Sequence, residues 1–349
     1  MVSEYPASSL AVARAEDGKE WDAFVEASPT GTVDHLWGWR EVISRALGHE
    51  SVYLIVRRGA AIVAALPLVL VRSRLFGRSV VSMPFLNHGG ILGDDPDAVA
   101  VLVDAARQVA IDFRASHVEL RHTTRRCPDL PSRRHKLSMK LALAPTVDAV
   151  WTGLDRKVRN QVRKAQKEQL QAESGGIELV DEFYTVFARN MRDLGTPVYS
   201  KQLFLSTLTT FAERARVFVV RHGGRTAAAG VSIAHGGTVL NPWASSLREF
   251  RHLSPNMLLY WTMIEQAVNA GAATFDFGRS SPDSGTHQFK RQWGAVETPM
   301  CWEYVLLSRA EAPDQGPSNP KFDRAIRAWQ SLPLSIANAL GPRIARHLP

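Results

Sequence analysis

Two predicted β-hairpins occupy corresponding places in the two halves of the chain. The first has strands at Val52–Val56 and Ile62–Val71, and the second at Arg216–Val220 and Ala227–Ala234, each pair joined by a polar, glycine-containing turn. The turns can be aligned at an offset of 164 residues, close to half of the 349-residue chain. A repeat of this size predicts two similar α/β lobes, although one shared hairpin could also arise by coincidence.

Helical patterns surround both hairpins. The predicted helices Glu16–Ala27 and Trp37–Leu47 precede the first hairpin, and Phe183–Asp193 and Lys201–Ala212 precede the second. Ala98–Arg114 is a further amphipathic helix. The order of elements is therefore similar in the two halves.

The remaining predicted elements complete each lobe. Val80–Asn87 and His117–Arg121 are strand-like in the first half. In the second half, Ser254 and Pro255 form an N-cap and first-turn pair for a helix that Gly271 ends. A strand at 274–277 follows, and then a loop at 278–286 that is rich in Ser, Gly and Pro.

The net charge of +8 comes from one part of the chain. Between Arg121 and Lys167 there are thirteen Lys or Arg residues and three acids, a balance of +10, so the remainder carries −2. Such a region predicts binding to phosphate groups, nucleic acid or an anionic membrane face, and the alternative is a solvated charged face. Within it, a helix at Leu154–Leu170 has separate faces. Leu154, Val158, Val162 and Ala165 form the apolar side, and Arg156, Arg159, Arg163 and Lys167 form the basic side.

Several functional classes lack their sequence signatures. Cys127 and Cys301 are too isolated for a zinc site or a disulfide framework. Asp276-Phe277-Gly278 has no accompanying kinase motifs, and Walker, Gly-x-Ser-x-Gly and His-Glu-x-x-His patterns are absent from the sequence. Met1–Leu10 does not have the pattern of a signal peptide, and the longest apolar stretch, Ala60–Val71, is too short to span a membrane. We therefore expect a cytoplasmic protein with no metal, no permanently bound cofactor and no DNA partner.

The segment Phe275–Gly294 contains the densest group of chemically capable residues. A strand, a glycine-containing loop and several cations occur together there. Ligands of α/β sheets bind at the carboxyl ends of strands, which favours a site at this segment. The alternative is an ordinary strand-end turn with surface cations.

Seven further segments carry recognisable motifs: Leu66–Leu68, Pro84–Gly90, Arg156–Ala165, Asn241–Ser246, Leu253–Trp261, Phe275–Gly278 and Phe289–Gly294. Together they resemble those of FemAB-type acyltransferases of the GNAT superfamily, most nearly the FemAB-related proteins encoded with exosortase (PEP-CTERM) exopolysaccharide systems. The resemblance extends over roughly residues 32–305.

The resemblance implies an α/β (α+β) protein with tandem GNAT-like lobes, each a mixed, mostly antiparallel sheet flanked by helices. We expect a first lobe at 1–150, a second lobe with the basic helix and the active site at 151–308, and a helical tail at 309–349. The implied activity is transfer of an acyl or aminoacyl group to an amine of a small-molecule, glycan or peptide precursor of the cell envelope, peptidoglycan or exopolysaccharide.

The acyl donor implied by the resemblance is either an acyl-CoA or an aminoacyl-tRNA, which would make tRNA a partner. The Gln/Arg-x-x-Gly-x-Gly/Ala turn with which GNAT enzymes hold the CoA pyrophosphate is absent after the second-lobe strands. This absence argues against acyl-CoA without excluding it.

Candidate catalytic residues follow partly from the resemblance and partly from their chemistry. The Phe-Lys pair of the family corresponds to Phe289-Lys290, which assigns catalysis to Lys290. Asp276 could hold the substrate amine or accept its proton, or could cap the following loop. His287 is a candidate general base by chemistry alone. Candidate substrate- or donor-binding residues are Arg156, Arg159, Arg163, Asn241, Trp243, Ser245, Asn256, Tyr260, Arg279, Phe289 and Arg291, although Trp243 and Tyr260 also suit core packing.

A second hypothesis is a non-catalytic binding module. In that case the Arg121–Lys167 region would capture tRNA, lipid headgroups or polysaccharide phosphates. The C-terminal stretch Trp329–Leu348 could lie on the inner face of the cytoplasmic membrane, as a peripheral contact, or pack against the protein. The interrupting prolines Pro333 and Pro342 favour packing against the protein.

Overall fold

The computed structural model describes residues 8–73, 77–308, 311–312 and 323–348. The expectations for the first seven residues and for much of 309–322 lie outside this range. The chain forms two compact units, the first from residues 1–135, 299–313 and 347–349, and the second from 136–298 and 314–346. Within the described ranges, no helix is long and apolar enough to cross a membrane.

The first unit begins with two helices and an antiparallel hairpin. Its elements are β1 (Ser8–Val12), α1 (Gly18–Ala27), α2 (Trp39–Leu47), β2 (Glu50–Arg58), β3 (Ala61–Ser73), β4 (Gly77–Val81), α3 (Pro96–Asp112), β5 (His117–His122) and β6 (Ser132–Arg133). Gly59 takes a φ of 60° in the β2–β3 turn, a conformation that glycine adopts without strain.

The second unit repeats this plan at greater length. Its elements are β7 (Leu137–Ala142), α4 (Val147–Gly153), α5 (Arg156–Lys167), β8 (Gln171–Gly175), α6 (Val180–Leu194), α7 (Lys201–Thr210), β9 (Ala215–His222), β10 (Arg225–His235), β11 (Thr238–Ser246), α8 (Pro255–Asn269), β12 (Thr274–Ser280), α9 (Gly285–Arg291) and β13 (Val296–Pro299). The chain then returns to the first unit with β14 (Cys301–Leu306), and α10 (Asp323–Gln330) and α11 (Leu334–Ala345) complete the second.

Each unit contains one seven-stranded mixed sheet. The strand orders are β1-β2-β3-β4-β5-β14-β6 and β13-β7-β12-β11-β10-β9-β8. The hairpins β2–β3 and β9–β10 are antiparallel, whereas β4–β5 and β11–β12 are parallel pairs. The repeat predicted from the two hairpins therefore extends over both sheets, and the expected pair of mixed, mostly antiparallel sheets is confirmed.

The unit boundaries differ from those expected because each of two strands joins the sheet of the unit other than the one expected. β7 lies before residue 150 but pairs antiparallel with β12 of the second sheet. β14 follows the second unit but pairs with β5 of the first. Local sequence patterns identify strands, but they contain little information about which distant strand each one joins.

Four local expectations differ from the structure. β4 ends at Val81 instead of Asn87, because Met83 and Phe85 have φ values of 54° and 71°, outside the strand region. The predicted 278–286 loop contains the end of β12 and the start of α9, with the Ser284 side chain accepting a hydrogen bond from the His287 N–H.

The other two differences concern helix ends. Ser254 makes no side-chain cap bond because its φ of 60° places it in the left-handed region, although Pro255 does begin α8. Pro342 lies inside α11 and does not interrupt it. Proline has no backbone N–H, so Pro342 removes one hydrogen bond from the helix. Because it lies in the last turn, few further hydrogen bonds are affected.

The predicted two-faced basic helix is α5. Val158, Val162 and Ala165 are buried, and the helix packs against α8. Arg156 and Arg163 are exposed, as the helical spacing predicts. The Arg121–Lys167 region as a whole is nevertheless not one continuous basic surface. Arg121 is buried, with its Nε 2.8 Å from Glu119 and its guanidinium 4.3 Å from the Trp302 ring centroid.

Glu303 of β14 is a fully buried carboxylate in the first unit. Its oxygens accept hydrogen bonds from His122 Nδ1 at 2.7 Å and from the backbone N–H groups of Arg126 at 2.9 Å and Cys127 at 2.8 Å. Burial raises the pKa of Glu303, but these donors outweigh it, so the pKa lies below its ordinary value. The ionised side chain therefore fixes β14 and the 126–127 turn to β5.

Replacing Glu303 by Ala should destabilise the protein by roughly 3 kcal/mol, since it leaves buried donors without an acceptor. Because the folded-state pKa is lowered, the stabilisation is present above the ordinary value of 4.5 and is lost as the pH falls through the folded value. Urea unfolding from pH 7 towards acid should thus show a shrinking difference between the two proteins. A loss no larger than that of the exposed control Glu213→Ala would contradict this role.

Candidate active site

The strands β11 and β12 separate shortly after they begin. Their parallel ladder covers the pairs Thr238–Thr274, Val239–Phe275 and Leu240–Asp276. β11 then continues to Ser246 and β12 to Ser280 without further pairing to each other, in a stretch where every residue is described. The ladder between the two strands therefore ends at the Leu240–Asp276 pair.

Asp276 shapes β12 at the point where the strands part. Its carboxylate is buried, and Oδ1 accepts a hydrogen bond from the Gly278 N–H at 2.7 Å. Gly278 has a φ of 72°, and the pairing of β12 with β7 shifts register between Asp276 and Arg279. Oδ2 lies 3.9 Å from Lys140 Nζ on β7. Asp276 thus holds a turn that directs the carbonyls of Gly278 and Arg279.

Lys290 meets those two carbonyls. The side chain, on α9, is 8% exposed, and Nζ donates to Gly278 O at 3.2 Å and to Arg279 O at 2.9 Å. Burial lowers the pKa of Lys290 to about 8; the charge of Asp276 opposes this shift and that of Arg279 adds to it. Since an ammonium carries three donors, two carbonyls leave one N–H for a third acceptor.

His287 lies on the same short helix, with a hydrogen bond to Nδ1 and a carboxylate close to Nε2. Nδ1 accepts a hydrogen bond from the Asp283 N–H at 3.0 Å, so the ring proton is assigned to Nε2. Nε2 lies 2.9 Å from Glu297 Oε1, which is also 3.5 Å from Arg291 Nε. The Nε2–Glu297 contact does not have hydrogen-bond geometry, and Nε2 is buried without a hydrogen-bond partner among the described residues, so a general-base role for His287 stays a prediction.

Aromatic side chains pack against one another next to α9. Tyr260 stacks on Phe277 at a centroid distance of 5.5 Å and meets Phe289 edge-on at 5.0 Å. Burial raises the pKa of Tyr260 well above its ordinary range. Trp243 is buried against Phe204, 5.0 Å away. Both Tyr260 and Trp243 therefore occupy core positions that support the strands of the site.

The polar candidates on β11 have internal partners. Asn241 Nδ2 donates to Val231 O at 2.7 Å and to Trp243 O at 3.0 Å, beside the register shift between β10 and β11. Ser245 Oγ accepts from Asn190 Nδ2 at 3.0 Å. Asn256, in the first turn of α8, differs from them. Its Oδ1 is buried and has no hydrogen-bond partner within the described ranges, so it can accept one from a ligand.

The start of the basic helix and the end of α9 line one cleft. An open cleft of about 600 Å³ lies between the start of α5 and the end of α9, with Lys157 and Arg291 among its lining residues. Further along α5, Arg163 lies 5.4 Å from the ring centroid of Trp151. Arg159 is half-buried, and its Nε has no hydrogen-bond partner among the described residues.

Sequence reasoning missed three residues of this arrangement. Lys140 and Lys157 were counted in the basic region but not assigned to the site, and Glu297 was not considered. The pairing of β7 with β12 places Lys140 beside Asp276, and the chain reversal after α9 places Glu297 beside His287. The one available signal was the position of Lys157, one residue from Arg156 at the start of the basic helix.

Comparisons with known proteins agree with this architecture. Residues 155–291 match the model of a family described as an acetyltransferase (GNAT) domain. No curated protein matches the chain. Among solved structures, FemX is similar with 16% identity and a TM-score of 0.66, over 86% of this chain and 98% of FemX.

Two further structures share the fold. A tandem GNAT protein from the clavulanic acid biosynthesis pathway is 14% identical, with a TM-score of 0.54 over 88% of this chain and all (100%) of its own. L-PGS from Bacillus licheniformis is 12% identical, with a TM-score of 0.53 over 99% of this chain and 98% of its own. At these identities the likeness establishes the fold. Together with the GNAT-domain match, it supports an acyl or aminoacyl transferase.

The low pKa of Lys290 should make the stability depend on pH. Below about pH 8 the folded protein holds a buried ammonium, and between about 8 and 10.5 the unfolded chain binds more protons than the folded one. The unfolding free energy of the wild type, relative to Lys290→Met, should therefore rise by up to about 3 kcal/mol across that range. Urea unfolding at both ends of the range measures it, with the exposed Lys19→Met as control. A difference that stays constant with pH would rule out the lowered pKa.

Proposed function

We propose that this chain is a FemAB-like N-acyltransferase that transfers an acyl or aminoacyl group to an amine of a cell-envelope or exopolysaccharide precursor. The observation that carries the proposal is the buried ammonium of Lys290, held by the Gly278 and Arg279 carbonyls where β11 and β12 separate. The GNAT-domain match over 155–291 includes all of these residues.

In the proposed reaction, the acceptor nitrogen attacks the carbonyl carbon of the donor. The carbonyl oxygen becomes an oxyanion, and the third N–H of Lys290 stabilises it. Collapse of this intermediate breaks the C–S bond of a thioester or the C–O bond of an aminoacyl ester. The proton lost by the amine goes to the leaving sulfur or oxygen, directly or through water. The reaction requires no protein nucleophile.

The neighbouring residues are proposed to position Lys290. Asp276 holds the Gly278 turn and offsets part of the desolvation of the ammonium. His287 would hold α9 through the neighbouring Glu297, a positioning role alongside its candidate general-base role. Phe289, next to Lys290 on α9, packs against Tyr260 of α8.

The basic residues are proposed to bind the anionic parts of the substrates. Arg156, Arg159 and Arg163 on α5, together with Arg279 and Arg291, would bind phosphates of the donor or of a precursor. Both acyl-CoA and aminoacyl-tRNA are polyanions, and both are found in the cytoplasm, where we place the enzyme. Asn256 would accept a hydrogen bond from the donor near the start of α8.

Replacing Lys290 by Ala should lower kcat about 10² to 10³-fold, because an oxyanion donor is lost. The donor is first identified by mass spectrometry and RNA analysis of the purified protein and by calorimetric titration with acetyl-CoA. Gln288→Ala, at an exposed position on the same helix, serves as the matched control. Unchanged turnover by the Lys290 variant would remove the catalytic assignment, and binding of neither a CoA species nor tRNA would contradict the proposed donors.

Neutralising α5 should affect binding more than chemistry. In Arg156→Gln/Arg159→Gln/Arg163→Gln we expect KM for the donor or acceptor to rise roughly tenfold at low ionic strength, with kcat nearly unchanged, since surface cations act through screened attraction. The control is Arg14→Gln/Arg45→Gln/Arg114→Gln, which removes the same charge from exposed positions in the first unit. Equal effects of the two triple variants would show that only net charge matters. Lost polyanion binding without any detectable transfer would favour the non-catalytic module.

A further inference from the structure

The helix α11 has a buried stripe of small residues and two exposed large apolar residues on another face. Ala337, Gly341 and Ala345 follow one another at four-residue spacing and are buried. Ile336 and Leu340, one turn apart on another face, are 44% and 40% exposed. A helix that packs only to bury apolar surface would have the opposite arrangement.

Close packing fixes the rotation of this helix. A Cβ atom added to Gly341 would lie 3.0 Å from both the Val198 side chain and the Val198 backbone nitrogen. Turning α11 to bury Ile336 or Leu340 would place a much larger side chain in this space. Ile336 and Leu340 therefore stay exposed while α11 is packed in this orientation.

An arginine shares the face of the exposed apolar pair, and the segment that contains α10 and α11 is basic in sequence. Arg343 is exposed and lies three residues after Leu340 and seven after Ile336, which places it on the same helical face. Arg324 and Arg327 of α10 are also exposed. Between residues 323 and 348 the sequence has four arginines and a single acid, Asp323.

We propose that α11 is a docking surface for an anionic lipid bilayer. Ile336 and Leu340 would enter the boundary between headgroups and acyl chains, while Arg343 binds lipid phosphates. The charge of the segment complements an anionic bilayer. An amphipathic helix of 12 residues is too short to span a bilayer. The helix α11 would lie in the plane of the interface, so its attachment would be weak and reversible. This inference does not depend on the acyl-transfer activity.

Sedimentation of the full-length protein with vesicles tests the proposal. Vesicles of phosphatidylcholine with about 30 mol% phosphatidylglycerol should bind the wild type, and pure phosphatidylcholine should bind it much less. Ile336→Ser/Leu340→Ser should weaken binding about tenfold, and Arg343→Gln should weaken it less, since each removes one part of the interaction. Ile111→Ser/Ile177→Ser replaces two similarly exposed isoleucines elsewhere and should bind like the wild type.

The outcomes separate a membrane surface from the alternatives. Because the replaced side chains are exposed, all variants should keep the wild-type melting temperature, and light scattering should give the same mass for each. Failure of the wild type to bind anionic vesicles, or equal binding by Ile336→Ser/Leu340→Ser, would overturn the proposal. A wild-type dimer that this double variant dissociates would instead identify the face as a contact between copies of the chain, and would also overturn it.

Discussion

The ammonium group of Lys290 is buried, and a buried ammonium requires oxygen atoms that accept its hydrogen bonds. The carbonyls of Gly278 and Arg279 meet it, and they face Lys290 because Asp276 holds Gly278 in a left-handed turn. Glycine tolerates that conformation, while a β-branched residue would be strained there. The end of β12, the turn and α9 therefore form one interdependent arrangement, next to the point where β11 and β12 stop pairing.

The parts of the fold that were predictable are those encoded by local periodicity. The two hairpins, the long helix α3 and the two-faced helix α5 all follow from the spacing of apolar residues. The sheets that β7 and β14 join were not predictable, because the sequence of a six-residue strand does not indicate which distant strand it pairs with. α9 was missed for a related reason: Ser, Gly and Pro surround its start, and it is short.

In the candidate site, too, residue types could be identified from the sequence, but their partners could not. Lys290 was assigned from its motif, but the carbonyls that hold it and the pKa lowered by burial depend on tertiary structure. His287 suggests a base by residue type, and the structure adds that Asp283 N–H occupies Nδ1 and that Glu297 lies 2.9 Å from Nε2. Arg121 counted towards a basic surface, yet it is buried beside Glu119 and Trp302. Residue type indicates what a side chain can do, and packing decides which of these chemistries remains available.

The central claim is that protonated Lys290 stabilises the oxyanion during acyl transfer, and the pH dependence of kcat/KM tests it most directly. With the donor and acceptor identified, kcat/KM of the wild type should fall as the pH rises through about 8, where the buried ammonium of the free enzyme loses its proton. In Lys290→Arg this descending limb should disappear, because a guanidinium stays protonated in that range. A wild-type profile that keeps rising to pH 10.5, or the same descending limb in Lys290→Arg, would contradict the claim.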